Sequence, residues 1–184
     1  MSQTKRLFIL RHAKSSWDDP GLDDHERPLA PRGRRACKVM ADHLRTSAIE
    51  PQLVLCSSSR RTRETLEGIA PAGEHVIESE LYSASTADLV ERLRRVPDDV
   101  GSVMLIGHNP AVQMLALRLA RRDGDAGERV ALARKFPTGA LATLTFECSW
   151  SELAPGSGRL AAFLTPKELN PKPGAGAGAP GPPA

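Results

Sequence analysis

The sequence predicts an α/β domain, a three-layer α/β/α sandwich around a mostly parallel central sheet. Short apolar runs recur along the chain, and each stops at a cluster of polar residues. Apolar positions at helical spacing fill the stretches between the runs, and such alternation marks strands joined by crossover helices. In sheets of that kind ligands sit outside the C-terminal strand edges. The polar clusters all fall there.

The first run, Arg6-Leu7-Phe8-Ile9-Leu10, suits a strand buried on both faces and delivers Arg11-His12 at its end. Ala36, Val39, Met40 and Leu44 then share one helical face. Gln52 to Cys56 is the second strand, ending in Ser57-Ser58-Ser59, and Thr62, Leu66, Ile69 and Ala70 mark the helix after it. Leu89, Val90, Leu93 and Val96 are spaced for another helix. Ser102 to Ile106 repeats the strand pattern before Gly107-His108-Asn109-Pro110, where Asn109 suits an N-cap and Pro110 a first helical residue. That helix runs through Val112, Leu115 and Leu119 and places His108 just ahead of its N-terminus. Gly124 to Pro137 is polar without a clear period and reads as a loop. Residues 140 to 147 and 159 to 164 lean toward strand and flank the turn-rich Pro155-Gly156-Ser157-Gly158. From Asn170 onward the chain is almost entirely Pro, Gly and Ala, which cannot offset the entropy of ordering it. One domain over 1–166 and a disordered tail over 167–184 are expected.

Composition narrows the function. A chain of 184 residues, 40% hydrophobic and 26% charged, is the size and type of one globular domain. Lys and Arg number 25 against 22 for Asp and Glu, too small an excess to mark a nucleic-acid binder. The clusters Arg32/Arg34/Arg35, Arg60/Arg61/Arg63 and Arg118/Arg121/Arg122 read as solvated helix faces. Cys37, Cys56 and Cys148 form no CxxC pair, so neither a disulfide framework nor a thiolate metal site is suggested. The five histidines show no HxxxH spacing, and no structural metal is expected. With no leader and no apolar run near the roughly 20 residues of a membrane span, the cytoplasm is the expected location.

Arg11-His12 directly after a buried strand suits phosphate chemistry. A neutral imidazole nitrogen attacks and leaves readily near pH 7, and an adjacent guanidinium gives bidentate hydrogen bonds to phosphoryl oxygens.

Four signals in order, Arg11-His12-Ala13-Lys14-Ser15-Ser16-Trp17, Arg27-Pro28-Leu29, Ser57-Ser58-Ser59-Arg60-Arg61-Thr62-Arg63-Glu64-Thr65 and Gly107-His108-Asn109-Pro110, resemble the histidine-phosphatase (phosphoglycerate mutase-like) superfamily. The likeness, over about residues 5 to 166, is to its small branch of SixA-type phosphohistidine phosphatases. The resemblance implies that His12 is the phospho-accepting nucleophile, Arg11 and Arg61 its phosphate-binding arginines and His108 the second histidine of the pocket. Arg27, Ser57 and Asn109 are then expected to contact substrate. No cofactor is expected, since fixed positive charge can do what a metal ion does elsewhere.

Many superfamily members carry a glutamate that protonates the leaving oxygen, and here the nearest acid is Glu80. A weak general acid favours a phosphohistidine substrate, because an N-phosphorylated imidazole is labile and needs less help than an alkoxide. Small phosphate esters are the alternative substrates, and a non-catalytic phospho-ligand or nucleic-acid binding module is the rival of another class. The acidic run Asp18-Asp19-Pro20-Gly21-Leu22-Asp23-Asp24 reads as a solvated loop or the rim of the site, without the ligand spacing of a calcium loop. Expected partners are a phosphorylated protein or a small phosphate ester, with no nucleic acid and no membrane.

Overall fold

The computed structural model describes residues 4–122 and 126–170. Its elements run β1 (Lys5–Arg11), α1 (Pro31–Thr46), β2 (Leu53–Ser57), α2 (Arg60–Ile69), β3 (Glu74–Glu78), α3 (Thr86–Arg94), β4 (Ser102–Gly107), α4 (Ala111–Leu119), α5 (Ala126–Arg134), β5 (Leu141–Phe146), β6 (Gly158–Leu164) and α6 (Pro166–Leu169). One sheet holds all six strands in the order β3-β2-β4-β1-β5-β6. The β1–β4, β4–β2 and β2–β3 pairs are parallel, and β5 runs antiparallel to both neighbours. The three-layer α/β class read from the sequence is the architecture found.

Side chains alternate across a strand, so each central strand supplies two cores. Leu7 and Ile9 of β1 join Val103 and Leu105 of β4 beneath Leu89 and Leu93 of α3 and Val112 and Leu115 of α4. Phe8 and Leu10 join Met104 and Ile106 on the other face, beneath Cys37 and Met40 of α1 and Leu66 of α2. This explains why the strands read as unbroken apolar runs.

The topology also locates a crevice. From β1 the chain leaves through α1 toward β2, and from β4 it leaves through α4 in the opposite direction toward β5, with α1 and α4 on opposite faces. Neighbouring parallel strands whose connections diverge open a cleft at their C-terminal ends. Arg11 and Gly107 are the paired last residues of β1 and β4, so His12 and His108 both emerge there.

Four sequence expectations need correction. Residues Gly124 to Pro137 were expected to be a loop, yet α5 occupies most of them. Among the described residues of this stretch only Leu132 and Phe136 are buried while Val130 is 66% exposed, so good helix formers are present without an apolar stripe. Pro110, in cis linkage to Asn109, precedes α4, whose first residue is Ala111; Asn109 makes no capping bond. The strand β3 was not expected: it lies at the sheet edge, and Glu74, His75 and Ile77 are exposed, which removes the apolar signal. Finally, α6 carries the fold past residue 166, because Thr165 and Glu168 form a capping box and Leu169 packs on the α1 core. The expected tail over 171–184 lies outside the described residues, as do residues 123–125.

Candidate active site

The C-terminal end of β1 is held from three directions. The His12 amide donates to the Gly107 carbonyl at 3.1 Å, and the Gly139 amide donates to the carbonyls of Arg11 and His12 at 3.0 and 3.1 Å. The Ala13 amide donates to Thr65 Oγ1 at 3.0 Å, and that hydroxyl donates to the Arg61 carbonyl at 2.6 Å. The chain around His12 is thus tied to β4, to the turn before β5 and to α2. His12 and His108 face each other with ring centroids 5.2 Å apart.

Hydrogen bonding and burial set the state of His12. Its Nδ1 lies 2.8 Å from the Ala13 carbonyl, which only accepts, so Nδ1 carries the proton and Nε2 keeps a free lone pair. Burial pushes the ring's pKa down to about 3, against the opposing effect of the Ala13 carbonyl and with help from the positive charge of Arg61 and Arg11. His108 is pushed down to about 4, by burial first and then by Arg61. Its Nε2 is 2.8 Å from Ser57 Oγ, while its Nδ1 is buried without a hydrogen-bond partner. Arg11 donates through Nη1 to the Phe136 carbonyl at 2.8 Å, and its buried Nε also lacks a partner. Buried polar atoms without partners are uncommon and call for an explanation. Here two of them, on Arg11 and His108, lie at the adjacent C-terminal ends of β1 and β4.

Arg61 and Arg27, both buried, meet on Asp24. Arg61 donates to the Asp24 carbonyl at 2.5 Å and to Oδ2 at 2.9 Å, and Arg27 donates to Oδ1 at 2.9 Å. Tyr82 also donates to Oδ2, at 2.7 Å. These donors, Tyr82 foremost, hold the Asp24 carboxyl down to about 2, so it is ionised at neutral pH. Tyr82 meets the His108 ring edge-on at 5.5 Å and the His25 ring at 4.9 Å. His25 in turn reaches Ser58 Oγ through Nε2 at 2.9 Å and donates to Glu26 through Nδ1.

The structure therefore brings Arg11, His12, Ser57, Arg61 and His108 into one pocket, with Arg27 one residue further out through Asp24. It does not bring Glu80 there: that carboxylate is exposed and accepts a hydrogen bond from Ser79 next to it. Asn109 lies beside the site: its Nδ2 donates to Gln113 and to the Phe136 carbonyl, while its buried Oδ1 lacks a partner. Asp24 and Tyr82 were missed as individual site residues. Asp24 is one of several acids in its run, and nothing local separates it from Asp23; the arginines that select it are 3 and 37 residues away. No group of three metal-ligating side chains occurs among the described residues, and no described helix is long and apolar enough to cross a membrane.

Comparison with known proteins agrees with this geometry. The profile of the histidine phosphatase superfamily (branch 1) matches residues 7–82. An uncharacterised protein of Mycobacterium tuberculosis is 36% identical over 159 residues, covering 86% of this chain and all of that protein. A candidate phosphohistidine phosphatase SixA from Nakamurella multipartitia superposes with a TM-score of 0.80 at 29% identity, over 89% of this chain and 96% of that one. The protein histidine phosphatase SixA in complex with tungstate superposes with a TM-score of 0.73 at 25% identity, over 90% and 99%. With the two facing histidines at the ends of β1 and β4, these likenesses lead to one conclusion: the chain belongs to the histidine phosphatase superfamily, in its SixA-type branch.

Proposed function

We propose that this protein hydrolyses phosphohistidine through a covalent intermediate on His12. One observation carries the reading: the His12 ring, its proton held on Nδ1 by the Ala13 carbonyl, faces His108 across 5.2 Å, where burial and the charge of Arg61 and Arg11 favour the neutral form. That tautomer leaves Nε2 as the nucleophile. The Nε2 lone pair attacks phosphorus, the bond from phosphorus to the substrate imidazole breaks, and its electron pair returns to that nitrogen. An imidazole protonated on its other nitrogen departs neutral, so the step runs without a side-chain acid. Water then attacks phospho-His12, the P–Nε2 bond breaks, and the pair returns to Nε2 while phosphate leaves with the remaining protons.

Arg11, Arg61 and His108 stabilise the charge that spreads over the equatorial oxygens. The free Nε–H of Arg11 is a donor in need of an oxyanion. A Ser57 hydroxyl that donates to His108 Nε2 puts the ring proton on Nδ1, the atom without a partner, and makes it a second such donor. Tungstate bound to a SixA relative is consistent with an oxyanion pocket on this fold.

Incubation with a phosphohistidine peptide carrying a labelled phosphoryl group tests the proposal. Acid-labile, base-stable label is expected on His12, absent in His12→Ala, with faster turnover of the peptide than of a panel of phosphate esters. Faster turnover of the esters moves the assignment to small-ester hydrolysis, and full activity in His12→Ala overturns the nucleophile.

A further inference from the structure

The chain has two tryptophans, and they are opposites. Trp150 is fully buried and donates its indole N–H to the Val100 carbonyl at 2.7 Å. Trp17 is 69% exposed. Large aromatic rings are rarely left so open, and they are the residues that most often carry binding energy at protein contacts.

The Trp17 ring is nevertheless anchored. The guanidinium of Arg27 lies over its face, with Cζ 3.1 Å from the ring centroid. Arg27 is itself fixed by donating to Ser15 Oγ at 2.8 Å, to the Ser16 carbonyl at 3.0 Å and to Asp24 Oδ1 at 2.9 Å. Asp24 receives Arg61, so a continuous chain of contacts, Trp17 to Arg27 to Asp24 to Arg61, joins the exposed ring to the phosphate pocket. A held ring loses little further freedom on contact, which favours its use in recognition. Residues 17–21 are exposed throughout, and Asp18 and Asp19, which follow the ring in the chain, form no ion pair among the described residues.

We propose that Trp17 is a specificity-determining contact, which reads the polypeptide flanking the phosphorylated histidine and favours apolar and basic flanks over acidic ones. The inference rests on the phosphohistidine reading of the pocket. On that reading a polypeptide covers the ring: a chain presenting a phosphoryl group to His12 extends over the surface that Arg27 and Asp24 connect to it, whereas a free phosphorylated imidazole ends inside the pocket. The neighbouring acids repel acidic flanks within a Debye length, about 8 Å at physiological ionic strength.

Three substrates test this: free N-phosphoimidazole, a phosphohistidine peptide with Leu and Lys flanks, and one of equal length with Ser and Glu flanks. The Leu/Lys peptide is expected to show a kcat/KM at least tenfold above the Ser/Glu peptide. Trp17→Ala should lower kcat/KM for the Leu/Lys peptide about tenfold more than for N-phosphoimidazole, and Trp17→Phe should restore most of that difference. Asp18→Asn with Asp19→Asn should narrow the gap between the peptides and remove its salt dependence. Binding gives a readout without turnover: a Leu/Lys peptide carrying a non-hydrolysable phosphonotriazole should shield Trp17 from acrylamide quenching, with buried Trp150 as the constant background, and inorganic phosphate should not.

Equal rates on the two peptides overturn the proposal. So does a Trp17→Ala loss as large on N-phosphoimidazole as on the peptide, which would reduce the ring to a support for Arg27. If the wild type turns over N-phosphoimidazole and both peptides without preference, only this inference falls; if it turns over esters and none of the three, the phosphohistidine reading falls and takes the inference with it.

Discussion

Burial decides the protonation state of His12 before any substrate arrives. An imidazole in water is half protonated near pH 6.5 and unusable as a nucleophile when charged. Inside the pocket, the loss of solvent and the charge on Arg61 and Arg11 hold His12 neutral until about pH 3. NMR titration of the ring carbons should therefore show neutral rings at residues 12 and 108 down to about pH 5, while a ring that titrates near 6.5 would contradict the burial argument. The arginines act on the charge of the transition state instead. Arg11→Ala and Arg61→Ala should each lower kcat by roughly 10²- to 10³-fold, the range typical of losing one fixed oxyanion donor. Steady-state kinetics on a phosphohistidine peptide reads this directly. Loss confined to KM would assign the arginines to uniform substrate binding.

Among the elements, α1 packs directly on the loop that follows His12. Gly33 sits on its buried face against the backbone of Lys14, two residues after His12, and a Cβ there would come within 2.2 Å of the Lys14 carbonyl oxygen. The same oxygen accepts the Ala30 amide at 2.8 Å, so helix and loop share one contact. Gly33→Ala must push two pieces of backbone apart. Overpacking of this kind costs roughly 1–3 kcal/mol, and the displaced loop is the one that aims His12. Urea denaturation should show that loss together with reduced kcat. Wild-type stability and rate would mean that the helix moves away freely.

Across the whole molecule, the pocket makes stability depend on pH. The histidines at 12 and 108 have folded-state values near 3 and 4, below the ordinary 6.5, so between those limits the unfolded chain binds protons that the folded chain refuses. Their contribution is complete above about pH 6.5 and is lost as pH falls from there toward about 4 and 3. Asp24, held at about 2 by Tyr82 and the two arginines, works in the same direction only below the ordinary carboxylate range. Thermal melts should show Tm falling from pH 7 to pH 5. Replacing both histidines by Gln should flatten that fall, and an unchanged slope would assign it to other groups.

What the sequence determined by itself follows from local rules. Unbroken apolar runs such as Leu7 to Leu10 and Val103 to Ile106 identify strands covered on both faces, and the polar residues that end them mark the edge where ligands bind. Arg11, His12, Arg61 and His108 were legible as candidate site residues because each belongs to a short motif at a strand end or helix start. Tertiary structure alone decided the rest. A carboxylate is selected by which guanidiniums reach it, so Asp24 stood out from Asp23 only after α2 and the Arg27 turn had come together around it. Tyr82 joined the pocket because the β3–α3 connection passes over β2, a consequence of strand order that no residue near it encodes. Likewise α5 escaped because a helix anchored by one buried leucine leaves no periodic trace, its place being set by the surface it covers. Periodicity reports a chain's own burial pattern, whereas partners far apart in sequence are chosen by the packing that brings them within bonding distance.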